Sequence, residues 1–285
     1  MTTIFNAYVA QFIGSAAADT VTFNAYVQTA YGNAGNDAFT INNSAYEIDM
    51  GAGNDALFVN GGSVGTIAMG AGNDALFLNG GATANTVDLG AGVNTLFGSN
   101  AGYIGAIIGG ADTDNVTIGG GAGTVDLGEG DNQLFAHGHV GSVTTGAGID
   151  NINLYNGGGT VDLGAGNDIF SSAGYVDAVH GGAGNDQFAI SGGGNIFGDE
   201  GDDTFDFVDM NAATTVIDGG AGIDTVTITT DRFDDAQFAA DMAGYAESGT
   251  AFLTDHNLSI TDVEVINVYE NGQLVETYDF GDIFA

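Results

Sequence analysis

The chain has 285 residues, with 37 Asp and Glu against a single Lys or Arg, and a formal net charge of −36 at pH 7. One cation, Arg232, cannot neutralise a run of phosphates or dock on anionic lipid, so nucleic-acid binding and electrostatic membrane attachment are excluded. Cysteine is absent, which removes disulfides, thiolate nucleophiles and Cys-ligated zinc, and no apolar run reaches the ~18 residues of a membrane-spanning helix.

Glycine supplies 50 residues and proline none, where roughly 7% Gly is ordinary. With 44% hydrophobic residues, 18 Phe and 10 Tyr, the chain has enough apolar surface to bury a core and does not read as disordered. The excess of acid calls for a hard divalent cation. Met1-Thr2-Thr3-Ile4-Phe5 lacks the basic region of a cleaved secretory signal, leaving cytosolic life or export by another route.

In chain order, Phe5-Asn6-Ala7-Tyr8-Val9 returns as Phe23-Asn24-Ala25-Tyr26-Val27, a shift of 18, so a repeat begins within the first residues. Coils over 1–31 show no acidic loop. From there a Gly-rich loop ends in Asp or Asn at residues 37, 55, 74, 94, 114, 132, 150, 168, 186, 203 and 224, every 17 to 21 residues. Gly51-Ala52-Gly53-Asn54-Asp55-Ala56-Leu57-Phe58 recurs residue for residue at 70–77. Between loops the apolar residues alternate, as at Ile67 and Met69 before one loop and Leu76 and Leu78 after another. Period-2 runs between glycine turns predict two short strands and two turns per coil of ~18 residues, stacked in parallel about 4.8 Å apart over residues 1–230.

The loop resembles the calcium-binding nonapeptide of repeats-in-toxin (RTX) proteins, most fully at Gly181-Gly182-Ala183-Gly184-Asn185-Asp186-Gln187-Phe188-Ala189 and Gly219-Gly220-Ala221-Gly222-Ile223-Asp224-Thr225-Val226-Thr227. That resemblance implies an all-β, right-handed parallel β-roll or β-solenoid. It also implies Ca²⁺ held between successive coils by Asp37, Asp55, Asp74, Asp114, Asp150, Asp168, Asp186, Asp203 and Asp224, with loop carbonyls such as those of Gly53, Gly72, Gly166, Gly184 and Gly222. Eleven loops leave ten gaps, and ten ions would add 20 charges and move −36 to −16. Asn94 and Asn132 stand where the family has Asp, so sites there are weaker or filled differently. Asp112 replaces the second loop glycine and puts the local backbone in question.

Family members often carry the nonapeptide twice per coil, but here the opposite turn reads Asn60-Gly61-Gly62 or Asn79-Gly80-Gly81, which predicts a single row of ions on one edge. That layout is similar to the calcium-bound module of bacterial ice-binding adhesins, whose loop carries Thr third. This chain has Ala there (Ala34, Ala52, Ala71) or Glu (Glu129, Glu200), so the ice-matching edge is absent.

The periodicity stops near Thr230. Residues 231–285 predict a small α+β cap that covers the last coil's open edge, with a helix over 231–242 carrying Phe233, Phe238 and Met242. Strands over 260–268 and 273–280 would join at Asn271-Gly272. Asp282-Ile283-Phe284-Ala285 resembles the uncleaved C-terminal export signal of RTX substrates of type I secretion, which implies a secreted protein that folds on meeting extracellular Ca²⁺.

No catalytic constellation emerges. Gly61-Gly62-Ser63-Val64-Gly65 matches G-x-S-x-G formally, but a nucleophile elbow needs a strand-to-helix turn that a solenoid lacks. His137, His139, His180 and His256 form no zinc motif and read as surface residues.

If Leu57, Leu76, Leu96 and Leu134 point inward, Phe58, Phe77, Phe97 and Phe135 point outward as an interaction stripe. The expected function is a secreted, calcium-stabilised structural protein that self-assembles into a layer, matrix or filament. The alternative is an adhesin or a module binding ice, polysaccharide or a cell surface through a flat face. The column Thr66, Thr86, Thr124 and Thr160 suits that second class, although Glu47, Ala106 and Ala178 interrupt it.

Overall fold

Alternation along each short run sends one residue of every pair inward, and glycine turns reverse the chain, so each repeat closes into a coil that adds one strand to each of two sheets. The computed structural model describes residues 2–208, 214–230, 235–253 and 256–281. Among the described residues the fold is an all-β parallel β-solenoid of about 12 turns with coils of about 18 residues and one short helix near the C-terminus. It comprises two units, 1–146 and 147–285.

In the first unit one parallel sheet is built from β1 (Thr2–Phe5), β3 (Thr20–Phe23), β5 (Ala38–Ile41), β7 (Ala56–Val59), β9 (Ala75–Leu78), β11 (Asn94–Gly98), β13 (Asp114–Ile118) and β15 (Gln133–Ala136). The other contains β2 (Val9–Ile13), β4 (Val27–Tyr31), β6 (Ala45–Asp49), β8 (Ser63–Ala68), β10 (Thr83–Asp88), β12 (Ile104–Gly110), β14 (Ala122–Gly128) and β16 (Val140–Thr145). Register follows the repeat: Leu57 pairs with Leu76, and Leu76 with Leu96. The core between the sheets is filled by fully buried columns such as Phe39, Leu57 and Leu96 facing Ile48, Ile67 and Val87. At the first coil Phe5 and Phe12 close onto Phe23 and Phe39, with ring centroids 5.3 to 6.0 Å apart.

The turn opposite the acidic loops is held by neutral amides. Asn24, Asn42, Asn60 and Asn79 each donate through Nδ2 to Oδ1 of the Asn one coil earlier, at 2.7 to 3.2 Å. An amide both donates and accepts, so this ladder is self-sufficient.

In the second unit β17 (Asn151–Leu154), β19 (Ile169–Ser172), β21 (Gln187–Ile190), β23 (Thr204–Val208) and β25 (Thr225–Thr230) have the same architecture. They face β18 (Gly158–Asp162), β20 (Val176–Ala183), β22 (Gly194–Glu200) and β24 (Thr215–Ala221). The helix α1 spans Asp235–Ser248, six residues beyond the expected end, and buries Phe238, Met242 and Tyr245. Residues 231–234, including Phe233, lie outside the described residues.

The segment expected as one strand over 260–268 is split. Leu258–Thr261 (β27) pairs in parallel with β24, and Val265–Glu270 (β28) pairs in parallel with β25, with a turn at 262–264 between them. These residues form one more coil, beyond a helical insertion that interrupts the period. The sheet edges then close with antiparallel strands: β26 (Thr250–Leu253) on β27, and β29 (Gln273–Asp279) on β28. The β28–β29 turn is the expected hairpin, with Asn271 at φ 51° and Gly272 at φ 75°.

The loop of this last coil is capped by a side chain. The Tyr245 hydroxyl donates to Val263 O at 2.8 Å and accepts from Val263 N–H at 2.7 Å, supplying both bonds that a following coil would make. Tyr245→Phe leaves that buried N–H and C=O unpaired, and we expect a loss of about 1–3 kcal/mol in urea denaturation; an unchanged midpoint would contradict the capping role.

Candidate metal centre and contact face

From β4 to β24 the loop that leaves each even-numbered strand is narrow because its glycines allow adjacent coils to touch. Gly53 (φ 147°) donates its N–H to Ala71 O at 2.8 Å, and a methyl group on it would strike the carbonyl of Gly35. Gly184 (φ 131°) repeats this with Glu200 O and Gly166. Within each unit the tight stack draws the Asp side chains that follow out of solvent and into a column.

Each carboxylate then bridges to its neighbour. Through Oδ1, Asp37, Asp55 and Asp74 accept the N–H of Asp19, Asp37 and Asp55 at 2.7 to 2.8 Å. Asp168, Asp186, Asp203 and Asp224 accept from Asp150, Asp168, Asp186 and Asp203 over the same range. The column is longer than the sequence suggested. Asp19 belongs to it, so the coils over 1–31 do carry an acidic position. In the second unit Glu264 Oε2 accepts the Asp224 N–H at 2.8 Å and extends the column there. Asp19 was missed because its loop, Ser15-Ala16-Ala17-Ala18, has no glycine after Gly14. Glu264 was missed because the insertion places it 40 residues beyond Asp224. Spacing from Asp37 (18) was the available signal for the first; for the second it was alternation over 258–268.

The second carboxylate oxygens differ. Oδ2 of Asp37, Asp55, Asp74, Asp114, Asp168, Asp186, Asp203 and Asp224 is buried without a hydrogen-bond partner. A methyl on Gly181 would meet both Asp186 Oδ2 and Gly198 O; one on Gly198 would meet Asp203 Oδ2 and Gly219 O. Gly109 stands likewise between Asp114 Oδ2 and Leu127 O. An acceptor-only oxygen facing a carbonyl of the next coil, with no donor between, is a donor set for a hard cation. The residues therefore fit the group that the loop motif implies.

Burial pushes these carboxyls up, against the lowering effect of the backbone N–H bonds, and the neighbouring carboxylates add to the rise. Asp74, Asp114 and Asp168 are raised to about 6, and Asp186 and Asp224 to about 7. Asp37, Asp55 and Asp203 are raised for the same reason. At Asp112 the loop is rewired: Gly92 N–H donates to Asp112 Oδ2 at 3.0 Å, whereas Gly72 N–H uses the Ala91 carbonyl.

The Phe residues nominated as a stripe do point outward. Ile4, Thr22, Thr40, Phe58, Phe77, Phe97, Thr117 and Phe135 align as one column on the outside of the odd-numbered sheet of the first unit. Phe58 and Phe77 stack at 4.8 Å, and Phe97 is 44% exposed. Thr117 separates Phe97 from Phe135, so the stripe is three consecutive rings and one apart. The parallel outward column reads Thr20, Ala38, Ala56, Ala75, Thr95, Asn115 and Gln133. Neither column contains a charge. On the even-numbered sheet Asp49, Asp88 and Asp126 recur at every second coil, separated by Ala68 and Ile108. Its threonine column is broken by Glu47 and Ala106, as expected. Ser63 opens β8 with its hydroxyl 2.7 Å from Thr83 Oγ1, which is no nucleophile elbow.

No family model matches the chain, and no curated protein matches it. Among solved structures it is similar to a hyperactive, Ca²⁺-dependent, β-helical antifreeze protein from an Antarctic bacterium, with 23% identity over 94% of each chain and a TM-score of 0.72. At that identity the likeness is one of fold.

The raised carboxyls set a pH dependence for the metal-free protein. Between the ordinary Asp value of 3.8 and about 7, the native state holds protons that the unfolded chain has released. Native stability therefore falls as pH rises through that window. In chelator, thermal denaturation should show its highest midpoint near pH 4 and a progressive loss toward pH 7; a midpoint that rises with pH would show the column to be neutralised otherwise.

Proposed function

We propose that the protein is a calcium-stabilised, secreted solenoid that binds an extended, regular surface, with ice the first ligand to test. Calcium rests on the unpartnered Oδ2 atoms and the carbonyls facing them. When bound, the ion supplies positive charge that no side chain of this column provides. Asp37, Asp55, Asp74, Asp114, Asp168, Asp186, Asp203 and Asp224 would hold it, and Asp150 occupies the same loop position. Loop carbonyls of the Gly53, Gly72, Gly166, Gly184 and Gly222 class would complete the shell. Calcium dependence in a protein of the same fold supports this choice of ion. Export fits a millimolar-calcium environment. The nominated signal at 282–285 lies outside the described residues.

The observation that carries surface binding is the missing charge. In a chain of net charge −36, both outward columns of the odd-numbered sheet in the first unit hold only Thr, Ala, Phe, Asn, Gln and Ile. Burying a charge against a partner is costly, and a flat face without charge avoids that cost. The antifreeze activity of the structural neighbour supports ice as ligand. Self-association through the same face is the second reading, favoured by the half-buried, mutually stacked Phe58 and Phe77 and the exposed Phe97 beside them.

One experiment separates them. Thermal hysteresis, ice uptake and light scattering are recorded together, in Ca²⁺ and in chelator. Surface binding predicts hysteresis with a monomer in Ca²⁺, lost in chelator and reduced at least tenfold by Thr40→Glu or Thr117→Glu, with Thr86→Glu on the other sheet as the unaffected control. Ordered growth in Ca²⁺ without hysteresis, abolished by Phe77→Glu, would replace that reading with self-assembly.

A further inference from the structure

We infer that Asn94 and Asn132 are built-in substitutes for the cation: each fills its own loop with an amide and interrupts the metal row of the first unit. This rests on the calcium reading above for its consequence but on hydrogen bonding for its argument. Both residues are fully buried in the carboxylate column and keep its ladder. Asn94 Oδ1 accepts the Asp74 N–H at 2.9 Å and Asn132 Oδ1 accepts the Asp114 N–H at 2.9 Å, so on that side each amide imitates a carboxylate.

The other side-chain atom is where they part. In the loops of Asp37, Asp55, Asp74 and Asp114 it is an unpartnered oxygen. In these two it is a donor: Asn94 Nδ2 gives a hydrogen to Gly92 O at 2.8 Å. Asn132 Nδ2 lies 2.9 Å from Gly130 O, 3.2 Å from Gly128 O and 3.3 Å from Glu129 O. Gly92 and Gly130 hold the loop position of Gly53 and Gly184, the carbonyl class nominated to ligate the ion. The amide N–H thus takes a loop carbonyl of the class that the motif nominates for the cation, without a net charge. A cation there would face an NH₂ group rather than a carboxylate oxygen, and would lose both a ligand and its counter-charge.

The first loop uses another device. Asp19 Oδ2 accepts from Ser15 N–H at 2.6 Å and lies 3.1 Å from Ser15 Oγ, so this carboxylate is provided for within its own loop. In the first unit, metal-dependent loops at Asp37, Asp55 and Asp74 are therefore bracketed by self-filled loops at Asp19 and Asn94. Asp114 is isolated between Asn94 and Asn132. The self-filled loops are the ones that keep their geometry when the ion is withdrawn.

Three variants of the full chain test this: Asp55→Asn, Asn94→Asp and Asn94→Ala. Bound Ca²⁺ is counted by equilibrium dialysis with elemental analysis, and melting is followed in chelator at pH 7. Asn94→Asp should gain one ion per chain in Ca²⁺ and melt several degrees lower in chelator, since it adds a buried charge and removes a donor. Asp55→Asn should lose at least one ion and melt higher in chelator. Asn94→Ala should lower the midpoint without adding an ion, which separates a structural defect from a created site. A wild type that binds Ca²⁺ while Asn94→Asp gains none, or an Asp55→Asn that melts no higher in chelator, overturns the substitution. A wild type that binds no Ca²⁺ overturns the calcium reading alone; the chelator midpoints still decide the role of the amides.

Discussion

A file of buried carboxylates in a chain with a single Lys or Arg is the constraint on which the rest of this structure depends. Adjacent charged members about 5 Å apart repel by about 3 kcal/mol at an effective dielectric near 20. The only Lys or Arg in the chain is Arg232, so no ladder of ion pairs can form. Neutrality must come from protons, from an external cation, or from replacing the carboxylate. The first appears as raised carboxyl pKa values, the second as unpartnered Oδ2 atoms beside carbonyls, and the third as Asn94 and Asn132.

In the first five coils the two turns solve the same stacking problem in opposite ways. Asn6, Asn24, Asn42, Asn60 and Asn79 form a ladder whose three inner amides each donate to one neighbour and accept from another. That turn is complete with the chain's own atoms. In the carboxylate turn each Asp side chain accepts one backbone N–H through Oδ1, donates none and leaves Oδ2 open, so that turn depends on what the solution contains. A solenoid built this way has one edge indifferent to conditions and one edge that responds to them. The same segregation extends to the sheets of the first unit: acids recur on the even-numbered face at every second coil, and the odd-numbered face has none.

Much of the architecture was legible because its cause is local. A loop that must let two backbones touch needs glycine at set positions, and a buried column needs alternation, so the 18-residue coil and the aspartate file could be read from residues such as Gly53, Asp55 and Leu57. The outward direction of Phe58, Phe77 and Phe97 follows from the same alternation. The reading failed where the local signature was replaced. Asp19 lies in a loop of alanines whose carboxylate is held by Ser15, and Glu264 follows a helical insertion that breaks the period.

By itself, then, the sequence determined the coil length, the two-strand repeat, the position of the acidic file and the direction of the aromatic stripe, because period and glycine placement are properties of neighbouring residues. Only the tertiary structure decided which oxygen of each carboxylate is occupied, that Asn94 and Asn132 turn their amides onto Gly92 and Gly130, that the outer face beside the stripe carries no charge, and that Tyr245 ends the stack at Val263. Those outcomes depend on atoms brought together from different coils, or from beyond an insertion. Their hydrogen bonds are chosen by packing distance and burial, which no spacing along the chain encodes.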